Sequence, residues 1–582
     1  MIAIAAFAFV IGVVSVYVAF VLLRLIGLFT NLFFFQRWNT DLVSPAGNTL
    51  GPFVIVVPVV GALIVGLMAR YGSERIRGHG IPEAIEAILI NGSRIEPKVA
   101  LLKPISSAIS IGSGGPFGAE GPIIMTGGAV GSVIAQFFHL TDAERKTLLV
   151  AGAAAGMSAT FATPVAAVLL AVELLLFEWK PRSFVPVAIA SATAAALRRQ
   201  VLGLGPLFPV APHTLFVGPQ ALLACVVAGL LAGALSAVLT AAVYASEDAF
   251  QRLPIHWMWW PAFGGLVIGI GGWIFPQALG VGYDTIGSLL QGDVARRVII
   301  GILIVKSIIW SFSLGSGTSG GVLAPLLMIG GALGGVLSWY FPAQGAGFWP
   351  LVTMCAMLAG TMRVPLTAVV FALELTHDVN MLLPLLIGAT VAHGFTVLTL
   401  RRSILTEKVA RRGYHLSREY AVDALEILFV REVMRTKVVA LPADARIDVV
   451  TASLKGTTTK GRQHLYPIID KDERLVGVVT RADLQAHVDD AKQNPGTELK
   501  AVIRSSPIVA FPDEPLRVVV YRMAETGVTR FPVVDRTSRR LVGMVALSDL
   551  LKARSASLDS ERRRERTLKL RSALGFGARR SA

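Results

Sequence analysis

Apolar positions dominate the chain up to about residue 400 and alternate with polar ones after it. Continuous apolar runs fall at 1–23, 52–69, 218–244, 298–314, 347–373 and 380–400. Each is close to the roughly 20 residues that a helix needs to cross a hydrocarbon core. Shorter runs at 101–111, 123–138 and 321–338 are interrupted by glycine and too brief to span, so they predict broken or re-entrant helices. Such backbone is tolerated at membrane depth only where protein or a water-filled cavity surrounds it. The pattern predicts an all-α polytopic membrane domain over residues 1–402. Its first run, Met1 to Leu23, lacks a basic leader and a small-residue cleavage site, and reads as a retained helix rather than a signal peptide.

Beyond residue 402 the pattern changes to a linker over 403–427, two short α/β units over 428–487 and 498–554, and a basic tail over 555–582. LYPIIDKDERLVGVVTRADL at 465–484 and RFPVVDRTSRRLVGMVALSDL at 530–550 are two copies of one strand–turn–strand–helix pattern. Charge follows the same division. Residues 401–582 hold 35 Lys and Arg against 22 Asp and Glu, which leaves 19 against 16 for residues 1–400. Overall charged content is 16%, where soluble domains have roughly a quarter. The basic cluster Arg401, Arg402, Lys408, Arg411 and Arg412 follows the last apolar run and predicts a cytosolic tail, because cytosolic flanks carry the excess of Lys and Arg. The basic end from Arg562 to Arg580 suits anionic lipid beside a membrane domain better than nucleic acid, and no nucleic acid partner is expected. Cys225 and Cys355 both lie inside apolar runs, so neither a disulfide framework nor a cysteine metal site is available.

The membrane half repeats itself. GSGGPFGAEGPIIMTGGAVGS at 112–132 aligns without a gap on GSGTSGGVLAPLLMIGGALGG at 315–335, and TPVAAVLLAVEL at 163–174 aligns on VPLTAVVFALEL at 364–375. Repeats of this kind in transporters commonly have inverted topology and set discontinuous helices from both halves around a central site. A helix N-terminus there offers unpaired N–H groups and partial positive charge to a small anion. Tight packing of small residues accounts for Gly127, Gly128 and Gly131 and their counterparts. It does not account for Glu120, an ionisable group in an apolar glycine-rich segment, which is a functional candidate by default.

At these residues the sequence resembles the CLC family of chloride channels and transporters, from about residue 10 to the end. The family's Gly-Ser-Gly-Ile-Pro motif corresponds to Gly78-His79-Gly80-Ile81-Pro82, its Gly-Arg-Glu-Gly-Pro motif to Gly118-Ala119-Glu120-Gly121-Pro122, and its Gly-x-Phe-x-Pro motif to Gly321-Val322-Leu323-Ala324-Pro325. The resemblance implies an anion path for chloride or another small anion lined by His79, Gly80, Ile81, Gly118, Ala119, Gly121, Val322, Leu323, Ala324 and Leu405, with Glu120 as the gate. It also implies a homodimer in the bilayer, in an inner cell membrane of bacterial type. Three positions depart from the family: His79 replaces a serine, Leu323 a phenylalanine and Leu405 a tyrosine, so the central site loses two hydroxyl donors. His79 is either an anion contact or a hydrogen-bonded core histidine.

Proton-coupled members carry a glutamate directly after the position of Glu173, where this chain has Leu174. Passive, channel-like conduction is therefore the expectation, with proton-coupled antiport as the alternative and Glu120 and Glu178 as the candidate proton path. Glu173 recurs as Glu374 and reads as structural. The two α/β units resemble CBS modules, so the fold class is a polytopic all-α membrane domain with an inverted repeat, followed by an α/β tandem CBS domain. The modules imply either a purely structural, dimer-supporting tail or an adenine-nucleotide site at Thr480, Asp483 and Asp549; transport itself requires no cofactor. A CBS-regulated divalent-cation channel would need clustered carboxylates or carbonyl-rich turns, which the membrane half does not offer. A serine hydrolase built on Ser113 and His79 has only residue type behind it, since Ser316 repeats Ser113. No catalytic or metal site is expected.

Overall fold

The computed structural model describes residues 1–89, 91–411, 425, 428–447, 449, 450, 463–484, 486, 499 and 503–564. Most of the 403–427 linker, residues 448, 451–462, 485 and 487 of the first module, 498 and 500–502 of the second, and residues 565–582 of the basic tail lie outside the described residues. The chain divides into two compact units, Met1–Arg418 and Glu419–Arg566.

In the first unit a long helix α1 (Ile2–Phe35) precedes α2 (Val56–Tyr71), α3 (Ile81–Leu89), α4 (Pro97–Gly112), α5 (Glu120–Gln136), α6 (Asp142–Phe161), α7 (Pro164–Leu170) and α8 (Pro181–Val201). A second long helix, α9 (Pro219–Gln251), precedes α10 (Trp260–Ile274), α11 (Tyr283–Gln291), α12 (Arg296–Gly301), α13 (Ser307–Gly315), α14 (Leu323–Leu337), α15 (Phe348–Met362), α16 (Pro365–Thr376) and α17 (Leu382–Thr399). A short α18 (Ile404–Arg411) closes the unit. Among the described residues, five stretches are long and apolar enough to cross a membrane: Ile2–Phe35, Gly51–Tyr71, Pro219–Gln251, Arg296–Gly315 and Val379–Arg411. The apolar run 347–373 is not one span. It breaks between α15 and α16, where Arg363 takes a left-handed conformation (φ 60°) and Pro365 begins the next helix. Pro365 lacks the N–H that continuing the preceding helix would need, and sits well at a first turn. Ala162 (φ 60°) and Pro164 make the same break between α6 and α7.

The two halves correspond well beyond the matched sequence blocks. Ser113 and Ser316 each donate to the carbonyl three residues earlier, at 3.1 and 2.6 Å. They lie against Gly61 and Gly264, where a side chain would collide with them. Lys103 and Lys306 are both fully buried. Lys103 Nζ donates to the carbonyls of Ile76 and Gly78, both at 2.8 Å, and Lys306 Nζ to those of Ala278 and Gly280, at 2.9 and 2.7 Å. Glu173 and Glu374 exchange caps. Glu173 accepts from the N–H groups of Leu366 and Thr367 in the first turn of α16, and Glu374 accepts from those of Val165 and Ala166 in the first turn of α7. Contacts that recur in reciprocal pairs are the mark of a twofold axis, and within one chain they describe an inverted repeat.

The second unit is α/β. β1 (Leu441–Pro442), β2 (Leu465–Ile469) and β3 (Leu475–Thr480) of the first module form a four-stranded sheet, in that order, with β4 (Arg504–Ser505), which falls within the second module's residues. β1 runs parallel to β2, and the other pairs are antiparallel. The second module pairs β5 (Arg530–Val534) antiparallel with β6 (Leu541–Ala546), in register Arg530 to Ala546. Helices α19 (Val430–Val433), α20 (Leu516–Thr526) and α21 (Leu547–Arg564) accompany them. The modules join through their edges: Arg435 exchanges two backbone hydrogen bonds with Met544 at 2.8 and 3.0 Å, and the two hairpin turns bridge at Arg474 and Arg540.

Candidate functional site

Three glycine-rich loops meet inside the first unit, each running into a helix N-terminus. Gly118 and Gly321, one from each half, exchange backbone hydrogen bonds at 3.1 and 2.8 Å just before α5 and α14. Gly78, just before α3, donates to the carbonyl of Thr318 at 2.9 Å. Two close approaches depend on glycine. Gly80 has φ 89°, and a side chain there would also meet the carbonyl of Gly121; one on Gly121 would collide with the carbonyl of His79. His79, Gly80, Ile81, Gly118, Ala119, Gly121, Val322, Leu323 and Ala324 are thereby gathered at three converging helix starts, and all are buried.

Glu120 is the first residue of α5 and is fully buried. Its carboxyl lies against its own amide, the amide of Ala324 and the hydroxyl of Tyr283. None of these reaches full hydrogen-bond geometry, so both carboxyl oxygens and the Tyr283 hydroxyl are buried without a partner. A carboxylate placed against opposed helix N-termini occupies ground that suits any small anion.

A cavity of about 300 Å³ opens on one side of these loops. Gly78 and His79 form its inner wall, and Arg77, Lys408 and Arg411 give it positive charge against Glu74 and Glu247. Helix α18 borders it and is fixed at three points. The Tyr244 hydroxyl donates to the carbonyl of Ile404, Arg411 pairs with Asp248, and Lys408 Nζ pairs with Glu83 Oε1 at 2.7 Å. Leu405, on the same helix, is buried and brings no donor. Two N–H groups expected to face the ion are engaged within the protein: that of Gly118 by Gly321, and that of Gly80 by Glu83 Oε2 at 2.8 Å.

Leu174 is buried in the π-helical segment Ala171–Leu176 that continues α7. Glu178 stands apart from this cavity: Ser183 Oγ donates to it at 2.6 Å and Lys180 pairs with it at 3.2 Å. Tyr283, Glu83, Lys103 and Lys306 are absent from the sequence-based site. The two lysines had a legible signal, since they fall opposite each other at the same offset as the matched glycine blocks.

In the second unit, Asp483 Oδ2 accepts from the amide and hydroxyl of Thr480, which caps the helix after β3. Asp549 accepts from the amide of Ala546 and is gripped by Arg435, Nη2 at 2.6 Å and Nε at 3.0 Å. The hydrogen bond to Asp549 raises the pKa of the guanidinium. A nucleotide ribose needs a carboxylate able to accept its hydroxyls. Here Asp549 is engaged by Arg435 and the Ala546 amide, and Ala546 offers no hydroxyl.

Two related halves that oppose their helix N-termini around a buried glutamate, with no cluster of His, Cys, Asp and Glu suited to a metal ion among the described residues, define a membrane transport protein for small anions. The family model described as voltage gated chloride channel matches residues 60–397, and that of the CBS domain matches 430–490 and 499–556. The chain belongs to the voltage gated chloride channel family and carries two CBS domains. It is 28% identical over 367 residues to a putative chloride channel protein ClcB-like of Ralstonia nicotianae, covering 61% of this chain and 85% of that protein. It is 30% identical over 373 residues to the H(+)/Cl(-) exchange transporter ClcA of Salmonella arizonae, covering 60% and 76%. The structure of a slow cyanobacterial Cl-/H+ antiporter has the same fold, with TM-score 0.60, 22% identity and coverage of 71% and 97%.

Proposed function

We propose that the protein exchanges chloride, or a similar small monovalent anion, for protons across the membrane, with Glu120 as both gate and proton acceptor. The observation that carries this reading is the Glu120 carboxyl itself, buried without a partner against helix starts from both halves. Protonation removes its charge and with it the electrostatic competition for the anion's place. The exchange transporters among the relatives support coupling over the channel-like conduction expected from Leu174. The 300 Å³ cavity supplies the other end of the proton route. It is wide enough for several waters, and its wall includes His79, whose carbonyl meets Gly121, the residue next to Glu120. A proton entering there bypasses Leu174. The basic residues after α17 put α18 and the tail on the cytosolic side, and the bacterial relatives point to an inner cell membrane. Passive conduction stays the second reading, on the single fact that Leu174 is apolar and buried.

Liposomes loaded with chloride test this with external chloride and pH recorded together. Chloride leaving should draw protons inward against their gradient, and E120Q should keep chloride flux while abolishing proton movement. Chloride flux without proton movement in the parent would establish the passive reading. An E120Q protein with unchanged proton movement would remove Glu120 from the gate.

A further inference from the structure

The anion path of this chain is short of donors on the α18 side. Leu405 has none, and the Gly80 amide is committed to Glu83. Two features stand in the same cavity wall. One is His79, a residue 3% exposed, whose Nδ1 is buried without a partner. The other is Lys408, whose ammonium is held 2.7 Å from Glu83 Oε1. Glu83 joins them: it is 6% exposed, and one carboxyl oxygen caps the start of α3 while the other holds the lysine. An ammonium has three N–H donors, and this pair engages one of them.

We propose that Lys408 is an anion-binding residue of the path, and that Glu83 sets how much of its charge reaches the ion. The inference rests on the anion-path reading of the converging loops. Lys408 replaces by charge what the site lacks in hydroxyl groups. Glu83 fixes the ammonium at the cavity wall and partly neutralises it, so that the anion is drawn in and still released. The pair also spans residues 325 apart, one on the anion-facing helix start and one on α18.

The sign of two substitutions separates this role from simple bracing. K408M leaves the Glu83 carboxylate unbalanced beside the path and should weaken chloride binding about tenfold or more, whereas E83Q frees the ammonium's charge and should tighten it about threefold. K408R should recover most of what K408M loses, and the double variant should fall between the singles. The measurement is calorimetric titration of chloride into the full-length protein in detergent, from chloride-free gluconate buffer, with gel filtration to verify folding. A bracing role predicts that E83Q weakens binding as K408M does, and that result would overturn the proposal, as would unchanged binding in both. Should K408M fail to fold, the direction of the E83Q change decides alone. A parent protein that binds no chloride would bring down the anion-path reading and this one with it.

Discussion

Glu120 and Tyr283 come from different halves and face each other with both polar groups otherwise unpartnered. A hydroxyl in that place can hold the carboxylate in its closed position, and a hydrogen bond to a charged group contributes about 1.5–3 kcal/mol. Replacing Tyr283 with Phe should therefore raise chloride flux roughly tenfold or more. In an E120Q background the same change should have no effect, and equal effects in both backgrounds would sever the link between the two residues. At this scale the sequence is legible unevenly. Glu120 stands out because a charge in an apolar, glycine-rich run has few bland explanations. Tyr283 does not, since an aromatic residue beside apolar ones is ordinary until the fold sets it against a carboxyl. Glu83 and Lys408 are invisible for a similar reason: partners 325 residues apart leave no local pattern.

Among elements, the short helices depend on one another for their caps. The first turns of α7 and α16 each begin with proline and are completed by a glutamate from the other half. A capping bond of this type contributes about 0.5–2 kcal/mol, and carboxylate acceptors lie at the upper end. E374Q should lower the thermal midpoint in detergent while leaving chloride affinity unchanged. A shifted affinity with an unshifted midpoint would mean that Glu374 serves the path instead. The existence of these elements was legible in the apolar runs, and the repeat in the glycine blocks. The break inside 347–373 was not, although Pro365 marked it, because a continuous apolar run reads as a span wherever length alone is counted.

For the whole molecule, the resemblance implies a twofold dimer of the 61.9 kDa chain. Its mass in detergent, measured by light scattering with the tail intact, should be twice that of one chain; a single-chain mass would exclude the dimer. Membrane unit and tail were both legible, since hydropathy changes abruptly near residue 400. The pairing of Asp549 with Arg435 was not, because it joins the approach to one module to the helix of the other. The exchanged caps also bear on how the chain is made. Synthesis runs from the N-terminus at about 5–20 residues per second, and 193 residues separate Glu173 from its nearer partner, Leu366. On the order of 10–40 s therefore pass in which the first half resides in the bilayer with the Glu173 carboxyl still without its partners. Lys103 shares the wait for Ser319, 216 residues downstream. Insertion machinery must shelter these groups from lipid, and a ribosome stalled between residues 176 and 319 would leave a half-protein marked for quality control by its own unmet polar contacts.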